Sequence, residues 1–123
     1  MINYTEYDIQ NLLFEMGIPV NRLGFLYLTY GMSLVMADYE YATRVSKLLY
    51  VDIAARYKTE PISVDRCIRH AIEIAYERNR SALMCELFDP KTYKKTPTPT
   101  EFITRVYFYM INKDIISRKE KEA

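Results

Sequence analysis

The sequence predicts an all-α fold, a compact bundle of about five to six helices containing a helix-turn-helix. Three observations carry that prediction. Glycine occurs only 3 times in 123 residues, too few for the positive-φ positions that a set of β-hairpin turns requires. Apolar residues recur at i, i+3, i+4 and i+7 along most of the chain, the spacing of a helix with one buried face. No stretch shows the period-two alternation of a half-buried strand. Half of the residues are apolar and 27% are charged. That composition excludes a disordered chain, and the length suffices for one core without disulfides or metal. No internal repeat is visible.

Residues about 4–16 read as a first helix, with Ile9, Leu12, Leu13 and Met16 as its stripe. Gly17 stops it and Pro19 follows. Residues about 21–37 form a second helix, with Asn21 as N-cap. Leu23, Leu26, Tyr27, Tyr30, Leu34 and Ala37 share one face. The segment is apolar nearly all round, so it is expected to be the central buried helix. Residues about 40–57 are a third helical stretch, broken near Tyr50, with Val45, Leu48, Leu49, Ile53 and Ala54 inward. Lys58-Thr59-Glu60 makes a three-residue turn.

Residues about 61–78 are the best-defined helix. Pro61 suits its first position, where a missing N–H costs nothing. Val64, Cys67, Ile68, Ala71, Ile72 and Ala75 fall within an arc of about 140°. Ile62, Ser63, Asp65, Arg66, Arg69, His70 and Glu73 occupy the opposite side. Residues 79–99 are mostly connection, with one or two helical turns near 83–88. Thr98 or Thr100 caps a final helix at about 99–116, and the tail 117–123 is expected to fray.

The net charge is +1, but it is unevenly spread. Residues 1–43 carry one Arg against five carboxylates, 44–80 carry eight basic against five acidic residues, and 81–123 carry eight against six. The front is acidic and the rear basic, so the surface is polarised. Cys67 and Cys85 form no C-x-x-C pair and there is a single histidine, so neither a zinc site nor any cofactor is expected. Two unpaired cysteines, no signal peptide and no apolar run long enough for a bilayer point to a cytoplasmic protein with no membrane partner.

A short helix, a three-residue turn and a longer amphipathic helix make a candidate helix-turn-helix. The major groove of DNA admits one α-helix, and a partner helix must hold it at a fixed angle. The second helix therefore needs one apolar face for the core and one polar face for bases and phosphates, and 61–78 has both. Arg66 and Arg69 stand three apart with His70 beside them, a cationic ridge. Asp65 is placed to orient Arg69 at i+4, or to accept from a cytosine amino group. Ile62 would meet a thymine methyl or a protein partner. Lys91, Lys94 and Lys95 form a small basic patch near Tyr93, readable as a solvated loop or as a phosphate contact. The helical spacing of the 12 tyrosines reads as core and rim rather than as a stacking platform. No nucleophile–base pair, metal cluster or phosphate loop supports an enzyme, and no small-molecule substrate is evident.

Several blocks resemble one family. Gly17-Ile18-Pro19 and Gly24-Phe25-Leu26-Tyr27-Leu28 are similar to the "GVP…GYxYL" opening of the C-terminal DNA-binding effector domain of the stage 0 sporulation master regulator, a response regulator. Lys47–Ala54 resembles its "KxLYPDIA", Val64–Glu73 its "VERAIRHAIE", and Pro97–Ile103 its "PTNSEFI". The blocks keep their order over roughly residues 9–111. The resemblance implies an all-helical fold with a helix-turn-helix at about 50–78 whose second helix enters a major groove. It also implies a second copy bound head-to-tail on tandem DNA sites. Asp65, Arg66, Arg69 and His70 match the family's recognition-helix residues. Ser63 stands where the family has a base-reading Arg, Thr29 replaces the "YLRE" arginine, and Tyr76 replaces a helix-end Trp. No part of the 123 residues resembles the regulator's receiver domain, so phosphorylation-driven dimerisation by that route is not expected.

Two functions follow as expectations. The first is a double-stranded DNA-binding transcriptional regulator without enzymatic activity. Ile62, Ser63, Asp65, Arg66, Arg69 and His70 would lie at the groove, and Lys47, Lys58, Lys94 and Lys95 at the phosphates. The second is a protein-interaction module of the same fold, its DNA reading impaired, that binds a regulator or RNA polymerase.

Overall fold

The computed structural model describes residues 5–122, with side chains described through Lys113. Its helices are α1 (Glu6–Glu15), α2 (Leu23–Ala37), α3 (Glu40–Thr43), α4 (Tyr50–Tyr57), α5 (Pro61–Glu73), α6 (Ala82–Leu87) and α7 (Pro99–Glu122). No strand occurs among the described residues, so the fold is all-α as expected. The anticipated third stretch is divided: α3 is followed by a π-helical turn, Val45–Leu49, that leads directly into α4. A second π-helical turn, Ile74–Asn79, continues α5. The division of the third stretch into α3 and α4 brings the α-helices to seven, against the expected five or six.

Local chemistry explains most of the boundaries. Thr5 and Asp8 form a reciprocal capping box on α1, with Asp8 N–H donating to Thr5 Oγ1 at 3.1 Å and Thr5 N–H donating to Asp8 Oδ2 at 3.0 Å. Those bonds hold the Asp8 carboxyl below its ordinary value, the backbone bond from Thr5 being the main cause. Gly17, at φ +92°, turns the chain out of α1. Thr98 and Glu101 form a second such box ahead of α7, through Glu101 N–H to Thr98 Oγ1 at 3.1 Å and Thr98 N–H to Glu101 Oε1 at 2.9 Å. Pro61 is at the start of α5, as expected.

Three details differ from expectation. The N-cap position of α2 is Arg22, which makes no side-chain capping bond, rather than Asn21. The buried face of α2 is Gly24, Tyr27, Leu28, Thr29, Gly31, Met32 and Val35. Leu23 and Leu26 are exposed instead, and so is Ala37. A helix apolar on every side carries no periodic signal to orient it. Finally, α7 runs to Glu122 rather than ending near 116. The side chains of the expected frayed tail, 117–123, lie outside the described residues.

The centre of the bundle is α2, which touches α1, α3, α4, α5 and α7. Its closest approach is to α5. A Cβ placed on Gly24 would lie 2.5 Å from the Cys67 carbonyl oxygen and 2.6 Å from Ala71 Cβ, both well inside van der Waals contact. Gly17 acts alongside it: a Cβ there would meet Asn79 Cβ at 3.1 Å and the Ala75 backbone at 3.7 Å, and Asn79 Nδ2 donates to the Gly17 carbonyl at 2.6 Å. Two glycines thus seat α5 and its continuation against the first two helices. Val64, Ile68, Ala71, Ile72 and Ala75 fill the contact.

Because the Gly24 clash is with backbone, α5 would have to move as a unit to relieve it. Gly24→Ala is expected to destabilise the fold by about 2–3 kcal/mol. Urea denaturation of the two proteins checks this, and an unchanged midpoint would contradict the close packing of α2 on α5.

Candidate nucleic-acid interface

The pair α4 and α5 is joined by Lys58-Thr59-Glu60. The end of α4 is closed by Lys58 in the left-handed conformation, at φ 54° and ψ 50°, with its N–H donating to the Ala54 carbonyl. Thr59 N–H donates to the same oxygen at 3.0 Å. This is the usual geometry of a helix stop that favours glycine, yet here a lysine occupies it and its side chain is exposed.

Beyond the turn, α5 divides as its sequence predicts. Val64, Ile68, Ala71 and Ile72 are buried, whereas Arg66, Arg69 and His70 are exposed. Ile62 is 67% exposed at the beginning of the helix. Ser63 and Asp65 are half-buried at the rim. The structure therefore brings Ile62, Arg66, Arg69 and His70 together on the outer surface of one helix, with Ser63 and Asp65 beside them.

Of the two roles open to Asp65, its position fits the first. Asp65 Oδ2 accepts from Arg69 Nε at 2.9 Å. The hydroxyl of Tyr50, the first residue of α4, lies near the same carboxylate. Burial, and then the neighbouring Asp65 carboxylate, raises the Tyr50 hydroxyl far above its ordinary value, with Arg69 opposing. It therefore stays a donor throughout the neutral range. Tyr50 itself was legible only as a break between helical stretches. Its link to Asp65 depends on how α4 packs on α5, which no helical period encodes.

The remaining cations are dispersed. Lys47 is exposed on the π-helical turn ahead of α4. Lys94 and Lys95 are exposed in the segment between α6 and α7. That segment is fastened at Tyr93, whose carbonyl accepts from the Tyr76 hydroxyl beyond α5 and whose hydroxyl accepts from Arg105 at 2.9 Å. Arg105 also donates to the Leu87 carbonyl at 2.9 Å and lies over the Phe88 ring at 5.4 Å. Sequence reading missed Arg105, because its partners come from a segment without regular period. Among the described residues, no hydrogen bond or ion pair joins the Lys47, Lys94 or Lys95 side chains to those of α5.

Thr29 is 1% exposed and its hydroxyl donates to the Phe25 carbonyl at 2.8 Å within α2, so it offers nothing to a ligand. Among the described residues, no group of His, Cys, Asp and Glu could hold a metal ion. None of their helices is long and apolar enough to cross a membrane.

An all-helical bundle that packs its amphipathic α5 against a short preceding helix across a three-residue turn belongs to the class of helix-turn-helix effector domains. The model of the family described as sporulation initiation factor Spo0A C terminal matches residues 9–110, and the chain belongs to that family. It is a DNA-binding regulatory family rather than a catalytic one.

Tyr27, Tyr41 and Tyr50 all have hydroxyls raised above the ordinary tyrosine value of 10.0, by burial in Tyr27 and Tyr50 and by the Asp52 hydrogen bond in Tyr41. The folded state keeps these protons where the unfolded chain releases them. Their contribution is therefore intact below pH 10 and lost as pH rises beyond it. Urea midpoints measured across that range should fall on the alkaline side, and less steeply in Tyr50→Phe than in the wild type.

Proposed function

We propose that the protein is a transcriptional regulator that reads double-stranded DNA sequence specifically by laying α5 in the major groove. The observation that carries this reading is the division of α5: a buried apolar face fixed by α2, and an outer face bearing Ile62, Arg66, Arg69 and His70. In this reading Arg66 and Arg69 reach base edges or nearby phosphates, and Asp65 orients Arg69. Ile62, at the entering end of the helix, meets a thymine methyl. Ser63 offers one hydroxyl where an arginine would grip guanine in two places, so the preferred sequence differs at that position. His70 supports a phosphate contact. Lys58, Lys47, Lys94 and Lys95 supply further phosphate contacts, and tandem or homodimeric binding fits family membership.

Gel shifts test the assignment. Affinity for a duplex should fall steeply with salt, by about a hundredfold between 50 and 200 mM if four phosphates are neutralised. Arg66→Glu combined with Arg69→Glu should abolish the shift while the fold persists, because both side chains are exposed. Binding that survives both reversals would overturn the assignment.

Lys58 allows a sharper separation of stability from binding. Lys58→Gly removes the cost of the left-handed conformation and should stabilise the fold by about 1 kcal/mol. It should also weaken DNA binding on all sequences alike and lower the salt slope by about one. A variant both more stable and equally tight on DNA would remove Lys58 from the interface.

A second reading is a protein-interaction module that engages a regulator or RNA polymerase. Exposed Tyr7, Phe14 and Phe108 on α1 and α7 favour it. Under that reading the double arginine reversal leaves partner binding intact.

A further inference from the structure

The segment between α6 and α7 has no regular structure, yet it is tied down. Tyr93 N–H donates to the Asp89 carbonyl at 2.7 Å and Lys91 N–H to Asp89 Oδ1 at 2.9 Å, which close a tight turn. The Tyr93 ring stands edge-on to Phe88, their centroids 5.0 Å apart, and Phe88 is fully buried. The Tyr93 carbonyl accepts from the Tyr76 hydroxyl. Tyr76 is itself 4% exposed. Arg80 holds it from the solvent side, with Nε donating to the Tyr76 carbonyl at 3.0 Å and the guanidinium over the ring at 5.0 Å. Beyond Tyr93, Pro97 and Pro99 are buried.

What this fixed segment presents is charge. From Pro90 to Thr100 the chain carries Lys91, Lys94 and Lys95 and no carboxylate. All three lysines are exposed, and neither of the two ion pairs among the described residues involves them. The fastening at Tyr76 puts them at one end of α5, because Tyr76 lies in the turn that continues that helix past Glu73. Ile62 stands at the opposite end, roughly 20 Å away along a helical rise. A recognition helix contacts base edges with its N-terminal residues, so the far end of α5 meets the backbone of neighbouring base pairs. Lysines on a freely moving loop would lose entropy on binding there, a loss that a docked segment has already taken.

We propose that residues 91–95 are a docked arm for the phosphate backbone of duplex DNA: Lys94 and Lys95 engage phosphates flanking the base pairs that α5 reads, and Tyr76 is a positioning residue that holds the arm against the end of α5. This rests on the reading that α5 enters the groove. Tyr76 touches no phosphate in this arrangement and acts only through the Tyr93 carbonyl. The arm adds affinity and footprint, not sequence preference, since phosphates carry no base identity.

The test uses the full chain and a duplex that the wild type selects from randomised sequence. The duplex is prepared in two lengths, trimmed to the selected base pairs or extended by about one helical turn on each side. The wild type should bind the extended form about tenfold more tightly at low salt. Lys94→Gln combined with Lys95→Gln should lose most of that gain and leave the trimmed duplex within about twofold. It should also lower the salt slope on the extended duplex by about two. Tyr76→Phe keeps the ring and removes the donor. It should cost about threefold on the extended duplex alone, and nothing further in the lysine variant, because the residues act in series. The lysine pair lies on the surface and decides whether the arm exists even if Tyr76→Phe proves unstable.

Equal losses on both lengths, a lysine variant that keeps the full gain, or a Tyr76→Phe loss that adds to the lysine loss would each overturn the proposal while leaving groove binding standing. A wild type that selects no sequence would overturn both, and that outcome is visible before the extended duplex is made.

Discussion

The contact between Gly24 and the carbonyl of Cys67 is the constraint on which the other arrangements depend. Backbone meets backbone there, so the separation of α2 and α5 is set by the absence of a side chain rather than by the shape of one. Side-chain packing tolerates exchanges of similar volume, but this contact has no volume to exchange. With α5 seated at that depth, Val64, Ile68 and Ile72 reach the core, and the opposite arc faces solvent. Gly17 repeats the device at the far end, where the π-helical turn after α5 passes beneath the α1–α2 connection. Two of the three glycines thus determine how the bundle presents its cationic helix.

A helix so placed still needs its angle fixed, and α4 supplies this. It is short, so its own backbone bonds stabilise it little. Its position depends on burial of Tyr50, Ile53 and Ala54 and on the stop at Lys58. A left-handed lysine is unfavourable at such a stop, and strain of this kind persists where surrounding structure over-determines it. Both N–H groups at the stop converge on the Ala54 carbonyl, and α5 then begins at Pro61 with its first φ already helical. The turn is therefore rigid on both sides without a glycine.

Much of this was legible in the residues. The two faces of α5, the Pro61 start and the Gly17 stop follow from spacing and capping chemistry, and the structure keeps them; of the two cap candidates for α7, Thr98 and Thr100, it uses Thr98. The outward group Ile62, Arg66, Arg69 and His70 was legible for the same reason: a strongly amphipathic helix declares its own orientation. Failures fall where that signal is missing. Helix α2 is apolar all round, so its period points Leu23 and Leu26 inward, whereas Gly24 and Thr29 face the core. Asn21 has the right chemistry for a cap, but the helix begins two residues later. Arg105 acts through partners in another segment, and Tyr50 comes near Asp65 only through tertiary packing, relations invisible to any local period.

Arg105 has a consequence for how the charge of this surface is counted. It is an exposed cation in the basic rear of the chain, the sort of residue a tally would offer to a polyanion. Its guanidinium is already engaged by the Leu87 carbonyl and the Tyr93 hydroxyl, with the Phe88 and Tyr93 rings beneath it. Formal charge in residues 81–113 thus overstates what is available outwardly, since one positive group there serves as an internal clasp. Neutralising it would loosen the lysine-bearing segment it fastens, and the resulting defect would resemble a lost ligand contact although its origin is architectural.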